Sequence, residues 1–299
     1  MESLSLHDAG MTRHTLASRR AGWGGLGFLA GWVFWAIGPL GLLPGALGQE
    51  AAAGKPPETS IDRQLEECIA RDPTTDGMVQ CTVEATQAWE QELQRTYEAL
   101  MRVLDPPGRQ DLQRAQTAWV AFRNAESVWL DRLYAIPSGT MYLVMAADDR
   151  MELVKGRVLR LQSYLELAQA GVGPGDRVQR KEKRASDGRA TGRSPLLRAR
   201  DRELAQAYRA LLRELDFQKL LERFCAGEPG PLCLTPQDAT EARRALRSAQ
   251  KAWWTYRRAE FAWHRRLYGQ EADPAHVSFV EGRIQALKYY RRILMNGLE

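Results

Sequence analysis

Two glutamates stand where a carboxylate is out of place. The stretch AQTAWVAFRNAE runs from Ala115 to Glu126, and it returns as AQKAWWTYRRAE from Ala249 to Glu260. In the first copy Leu112, Ala115, Trp119, Phe122, Glu126, Trp129 and Leu133 fall at alternating steps of three and four. Leu246, Ala249, Trp253, Tyr256, Glu260, Trp263 and Leu267 repeat those steps in the second. Such spacing places all seven residues of a copy on one face of a helix, with the near-3.5 period of a coiled-coil seam. A carboxyl on an apolar face is either paired or protonated. A protonated one could act as a general acid. Glycoside-type acid catalysis needs a second carboxylate, and neither a second carboxylate nor a histidine recurs beside these two. The arginines fit better. Arg123 lies three residues before Glu126 and Arg257 three before Glu260, one helical turn away. Arg157 and Arg283, each following a glycine, are further partners. The expectation is a semi-buried Arg–Glu cluster within each copy that fixes helix register rather than adding stability.

The other reactive residues point away from catalysis too. Cys68, Cys81, Cys225 and Cys233 are an even set of four. Their spacings are not those of a zinc site, and only His264 and His276 accompany them beyond the N-terminal segment, so no metal is expected. Disulfides are expected, with local pairing of 68 with 81 and of 225 with 233 preferred among three connectivities. There is no glycine-rich phosphate loop, nucleophile elbow or HExxH, hence no cofactor and no enzyme.

The elements that must hold these residues are helical. Hydrophobic residues make up 44% of the 299, charged residues 26%, and there are nine tryptophans, a composition that supports a ring-filled core. A short helix is expected from about Ile61, capped by Thr59 or Ser60. A long one follows from about Met78 to Leu104, its apolar face built on Val79, Val83, Trp89, Leu93, Tyr97 and Leu100. DPPG at 105–108 stops it, since adjacent prolines cannot continue a helix. Further helices are expected over about 109–135, 141–170, 195–217, from Thr235-Pro236, and from Asp273-Pro274 to about Asn296. FCAGEPGPLCLTP reads as a disulfide-clamped loop.

The duplication extends past the opening motif. QELQRTYEAL at 91–100 matches RELAQAYRAL at 202–211, and VKGRVLRLQSY at 154–164 matches VEGRIQALKYY at 280–290. The fold class expected is all-α: two tandem antiparallel helical-hairpin or bundle units, residues 59–170 and 195–299, joined by a flexible basic linker over 171–194. Within each unit Gln116, Trp119 and Phe122, or Gln250, Trp253 and Tyr256, form the core motif.

Charge divides the two units. Residues 59–170 carry 12 Lys/Arg against 17 Asp/Glu, net −5, while residues 196–299 carry 19 against 13, net +6. A basic half could suggest nucleic acid, but the N-terminus argues for another compartment. Arg13, Arg19 and Arg20 precede a charge-free run over 21–49 that ends in Ala46-Leu47-Gly48. Residues 1–48 therefore read as a signal peptide or as an uncleaved anchor through 21–47. The chain is expected to be exported, periplasmic or secreted, with no nucleic-acid partner and no membrane contact beyond such an anchor. Disulfides suit that compartment.

The residues also resemble a known family. CIARDPTTDGMVQCTVEATQAWEQELQRTYEALM followed by LQRAQTAWVAFRNAES is similar to the lysozyme inhibitor LprI N-terminal domain family. Cys68, Cys81, Leu93, Tyr97, Gln116, Trp119, Phe122 and Arg123 occupy its pattern, and residues 196–295 resemble a diverged second copy. Ser127 stands where the family usually has a third cysteine, and the second copy has its own cysteine pair. The resemblance implies a helical, exported, non-enzymatic domain that binds a protein partner, with a lysozyme-type wall-cleaving hydrolase as the candidate. For that role the turns at 72–77 (DPTTDG) and 135–140 (AIPSGT) would enter the partner's cleft. The alternative is a structural or interaction protein of the cell envelope with no lysozyme contact.

Overall fold

A computed structural model describes residues 59–170, 194–225, 233–269 and 272–296. The expected signal or anchor segment (1–48), nearly all of the linker, and the middle of the second disulfide loop lie outside the described residues. Among the described residues there are eight helices and no strand: α1 (Ser60–Arg71), α2 (Thr75–Val103), α3 (Pro106–Tyr134), α4 (Met141–Gln169), α5 (Pro195–Glu214), α6 (Phe217–Phe224), α7 (Pro236–Tyr268) and α8 (Ala272–Asn296).

Local sequence sets each boundary. Thr59 caps α1 in a capping box with Asp62, and Thr235 caps α7 in another with Asp238. DPPG both ends α2 and opens α3. Asp105 is the N-cap, its side chain accepting from Gly108 N, and Pro106-Pro107 occupy the first helical positions. Those positions have no intrahelical N–H bond to lose, so proline is welcome there. Helix α6 is the element that periodicity missed. Asp216 caps it, and Leu220 and Leu221 are buried. Its eight residues are too few to show a repeat. On α2 the buried face runs through Thr82, Ala85, Trp89, Leu93, Thr96 and Leu100, while Val83 is exposed.

Glycine is required at two turns. A Cβ at Gly77 would run into the Asp72 carboxylate, which caps the α1–α2 turn by accepting from Thr74. Gly139, in the α3–α4 turn, has φ +128°, a conformation that other residues adopt only under strain. Both expected disulfides are formed. Cys68–Cys81 staples α1 to α2, and Cys225–Cys233 closes the α6–α7 loop.

Helices α3 and α7, the equivalent helices of the two repeats, pack on each other more extensively than any other pair. They run antiparallel. Asp111 near the start of α3 pairs with Arg266 near the end of α7, and Arg132 near the end of α3 pairs with Glu241 near the start of α7. Midway, the rings of Phe122 and Tyr256 stack at 5.8 Å. These two residues are each other's counterparts in the repeat, so the pair is related by a local approximate two-fold axis. α4 packs on α2 and α8 on α5. One hydrophobic cluster joins everything. Trp89, Trp119 and Trp129 belong to it from the first repeat, and Trp253 and Trp263 from the second, all 3% exposed or less. The tryptophans are core, as the seam predicts, and burying each ring stabilises by roughly 2–3 kcal/mol.

Candidate functional site

The two glutamates are the most enclosed polar groups of that core. Glu126 and Glu260 are both 0% exposed. Their partners are arginines of the opposite repeat. Arg157 on α4 reaches across to Glu260 on α7, with Nη1 at 2.9 Å from Oε1 and 3.0 Å from Oε2. Arg283 on α8 reaches across to Glu126 on α3. This corrects the expectation of a cluster inside each repeat. Arg123 lies one turn from Glu126, but its guanidinium turns outward to Glu90 at 3.1 Å. Arg257 is buried yet pairs with Asp201. Antiparallel packing of α3 on α7 is the reason. It brings each glutamate under the fourth helix of the other repeat, where no sequence-local residue competes.

Each crossing arginine is held by its own repeat. Arg157 Nε donates to Gln116 Oε1 at 2.9 Å, and Arg283 Nε donates to Gln250 Oε1 at 3.1 Å. A tyrosine completes each set. Tyr164 donates to Glu260 Oε1 at 2.6 Å and Tyr290 to Glu126 Oε1 at 3.0 Å. The guanidiniums also lie over rings at the two-fold axis, Arg157 over Tyr256 at 5.5 Å and Arg283 over Phe122 at 5.4 Å. The Nη2 of each arginine makes no hydrogen bond, and the cation–π contact helps to offset its burial. The core motif Gln-x-x-Trp-x-x-Phe/Tyr, the Glu and the Gly-Arg therefore form one symmetric device.

The second-repeat glutamate has extra partners. Tyr256, where the first repeat has Phe122, accepts from Arg157 at 3.0 Å and from Arg160 at 2.8 Å. His264, where the first repeat has Leu130, places Nε2 2.6 Å from the Tyr164 hydroxyl. Tyr164 spends its single proton on Glu260, so Nε2 must carry the histidine's proton and donate back. Burial pushes His264 down to about 3 despite the nearby Glu260 carboxylate, which keeps the imidazole neutral at neutral pH. Burial works most strongly to raise the Glu260 carboxyl, but the Arg157 guanidinium, together with Arg160 and the Tyr164 hydrogen bond, outweighs it and holds the group below its ordinary value. Burial and the Glu260 charge push the Tyr164 hydroxyl well up. A carboxylate sealed from solvent and held ionised by an arginine has no proton to give and no substrate to meet. The Glu–His–Tyr grouping has catalytic residue types but the geometry of a structural lock.

Two further groups escaped the sequence reading. Tyr164 and Tyr290 end the quoted segments LQSY and LKYY, so their recurrence was visible although their role was not. Tyr134 donates to Asp149 Oδ2 at 2.6 Å and lies 3.2 Å from the Tyr289 hydroxyl of the other repeat. Nothing in the sequence joins those three.

The periphery differs from the core. The α1–α2 and α3–α4 turns meet at one end of the helices, where Thr75 Oγ1 lies 3.4 Å from Thr140 Oγ1. Beside them a shallow pocket runs from Arg132, Ile136 and Ser138 to Phe224 and the Cys225–Cys233 bridge. Among the described residues no group of three His, Cys, Asp or Glu could hold a metal, and no helix is long and apolar enough to cross a membrane.

The family described as Lysozyme inhibitor LprI matches residues 68–161 and again residues 193–294. Together the two segments cover well over half of the chain. The chain belongs to the LprI family. Its double match falls on the two repeats, and the matched segments include the residues of the crossing networks. No curated protein matches the chain. Among solved structures, a crystal structure of an uncharacterised protein from Burkholderia thailandensis is similar at a TM-score of 0.57 and 22% identity, over 78% of this chain and 97% of that one. That likeness supports the helical fold alone.

Proposed function

We propose that this LprI-family protein is an exported, non-enzymatic binding module that inhibits a lysozyme or a related wall-cleaving hydrolase, and that it docks through the end where the α1–α2 and α3–α4 turns meet. The contact between those turns carries the reading. Residues 72–77 and 135–140 are far apart in sequence, yet Thr75 and Thr140 touch, so both turns can face one partner. The tip at Ser138, Gly139 and Thr140 is exposed and uncharged, and exposed Asp72 and Asp76 flank it. Animal-type lysozymes are strongly basic, and their clefts hold two carboxylates. A first repeat at net −5 attracts such a partner, and a neutral tip enters a carboxylate-lined cleft without like-charge repulsion. The two disulfides support residence in an oxidising compartment, where such enzymes are met.

The test is an assay of lysozyme on bacterial walls with the full chain added at micromolar excess. Inhibition is expected. Ser138→Glu is expected to weaken it about tenfold or more by setting a like charge against the cleft carboxylates. Asp76→Lys is expected to slow association, with a larger effect at low salt. No inhibition at micromolar excess would remove the proposal for that enzyme.

A further inference from the structure

The duplication provides an internal comparison. On the outer face of α3 the first repeat presents Gln113, Thr117, Val120 and Asn124, all exposed and uncharged. At the corresponding places on α7 the second repeat presents Arg247, Lys251, Trp254 and Arg258, also exposed. Helix, exposure and register are the same. Three cations and an indole have replaced four neutral side chains.

These residues line a groove of about 450 Å³ together with Tyr208 of α5 and Thr255, a volume within the range of small-molecule sites. Trp254 is 37% exposed, unlike the five buried core tryptophans. Its ring is braced from one side by the Arg257 guanidinium at 4.8 Å, itself paired with Asp201, and edge-on by Trp253 at 5.2 Å. Arg247 and Lys251 form no ion pair among the described residues. An exposed, braced indole flanked by uncommitted cations suits a ring with one apolar face in a ligand that carries negative charge. It does not suit a basic lysozyme, which the cations would repel.

We propose that this α5–α7 groove is a binding site for an acidic oligosaccharide, one whose sugar rings stack on Trp254 while carboxylate or phosphate groups pair with Arg247, Lys251 and Arg258. Stacking alone would fit a nucleobase equally. The disulfides favour the saccharide, since they belong to the oxidising side of a cell where wall and surface glycans lie. The site is distinct from the turn-bearing end and stands or falls separately from lysozyme inhibition.

The experiment is calorimetric titration of the full chain with hexagalacturonate, with chitohexaose as the neutral counterpart and an oligothymidylate as the nucleic-acid counterpart. Hexagalacturonate is expected to bind best and to weaken as salt is raised. Trp254→Val and the triple change R247Q/K251T/R258N are each expected to reduce affinity about tenfold or more. Both install residues that the first repeat already carries at these exposed places, so melting temperatures near the parent's are expected. Absence of hexagalacturonate binding overturns the proposal, as does equal affinity in both variants. Equal or tighter binding of chitohexaose or oligothymidylate also overturns it.

Discussion

Replacing Arg157 with Met is expected to lower stability by about 3–5 kcal/mol, an unusually large loss for one polar side chain. Met keeps the volume and the contact with the rings. It leaves Glu260, fully enclosed on α7, with Tyr164 as its hydrogen-bond donor, neutral His264 beside it, and the Arg160 charge as the remaining cation. His264 cannot take over the counter-charge, because burial keeps it neutral. The loss should depend on pH with a definite sign. In the parent the folded-state pKa of Glu260 is depressed, so its ionised form favours folding above the ordinary glutamate range. Without Arg157 the main cause opposing burial is gone, and burial pushes that pKa up against only the Arg160 charge and the Tyr164 hydrogen bond. The penalty is then full at neutral pH and shrinks on acidification, as the carboxyl takes up a proton. Arg157→Met combined with Glu260→Leu removes both charges and should recover most of the loss. Urea unfolding of the parent, Arg157→Met, Glu260→Leu and the double variant measures this. A single-variant loss below about 1 kcal/mol, or no recovery in the double, would show that the pair carries little coupling.

Residues 59–170 expressed alone are expected to lose cooperative folding. In the full chain the α3 seam, with Leu112, Trp119, Phe122 and Trp129, belongs to the core shared with the second repeat. Separation exposes that seam as a long apolar face, the kind of patch that drives aggregation. It also strands Glu126 without Arg283 and Tyr290, and Arg157 without Glu260. The Cys68–Cys81 bridge remains, but it restrains only α1 against α2. Far-ultraviolet circular dichroism of the fragment should show helix that melts without a sharp transition. Supplying residues 195–299 in trans should restore one. A fragment that melts sharply by itself would mean that the repeats 59–170 and 195–299 are independent domains.

Much of this was written in the sequence, and the reason is period. Helices of 25 residues or more, such as α2, α3, α4, α7 and α8, carry enough turns for a stripe to show. Thr59, Ser194 and Thr235 announce their helices by cap chemistry that is local. The cysteine pairs lie 13 and 8 residues apart, and short loops favour closure between neighbours. Recurrence of Glu126 as Glu260 marked the site. What the sequence could not give was the partner of each glutamate. Arg123 and Arg157 are both reachable from Glu126 on paper, and the choice of Arg283 instead depends on how α3 lies on α7. That is a contact between residues 157 positions apart, and no local pattern encodes it. Helix α6 was missed for the opposite reason, being too short to be periodic. The acidic–basic split was legible as numbers. Of the cross-repeat pairs, Asp111–Arg266 joins an anion of the acidic repeat to a cation of the basic one, and Arg132–Glu241 runs the other way, so the pairs leave the asymmetry on the surface.

The claim under everything else is that two crossing Arg–Glu–Tyr–Gln networks make the repeats one cooperative structure. Native-state hydrogen exchange along a denaturant series tests it most directly. Amides in the middle of α3 and of α7 are predicted to converge on a single opening free energy, and Arg157→Met should lower both together. Two separate isotherms, with one repeat opening while the other keeps its protection, would contradict it.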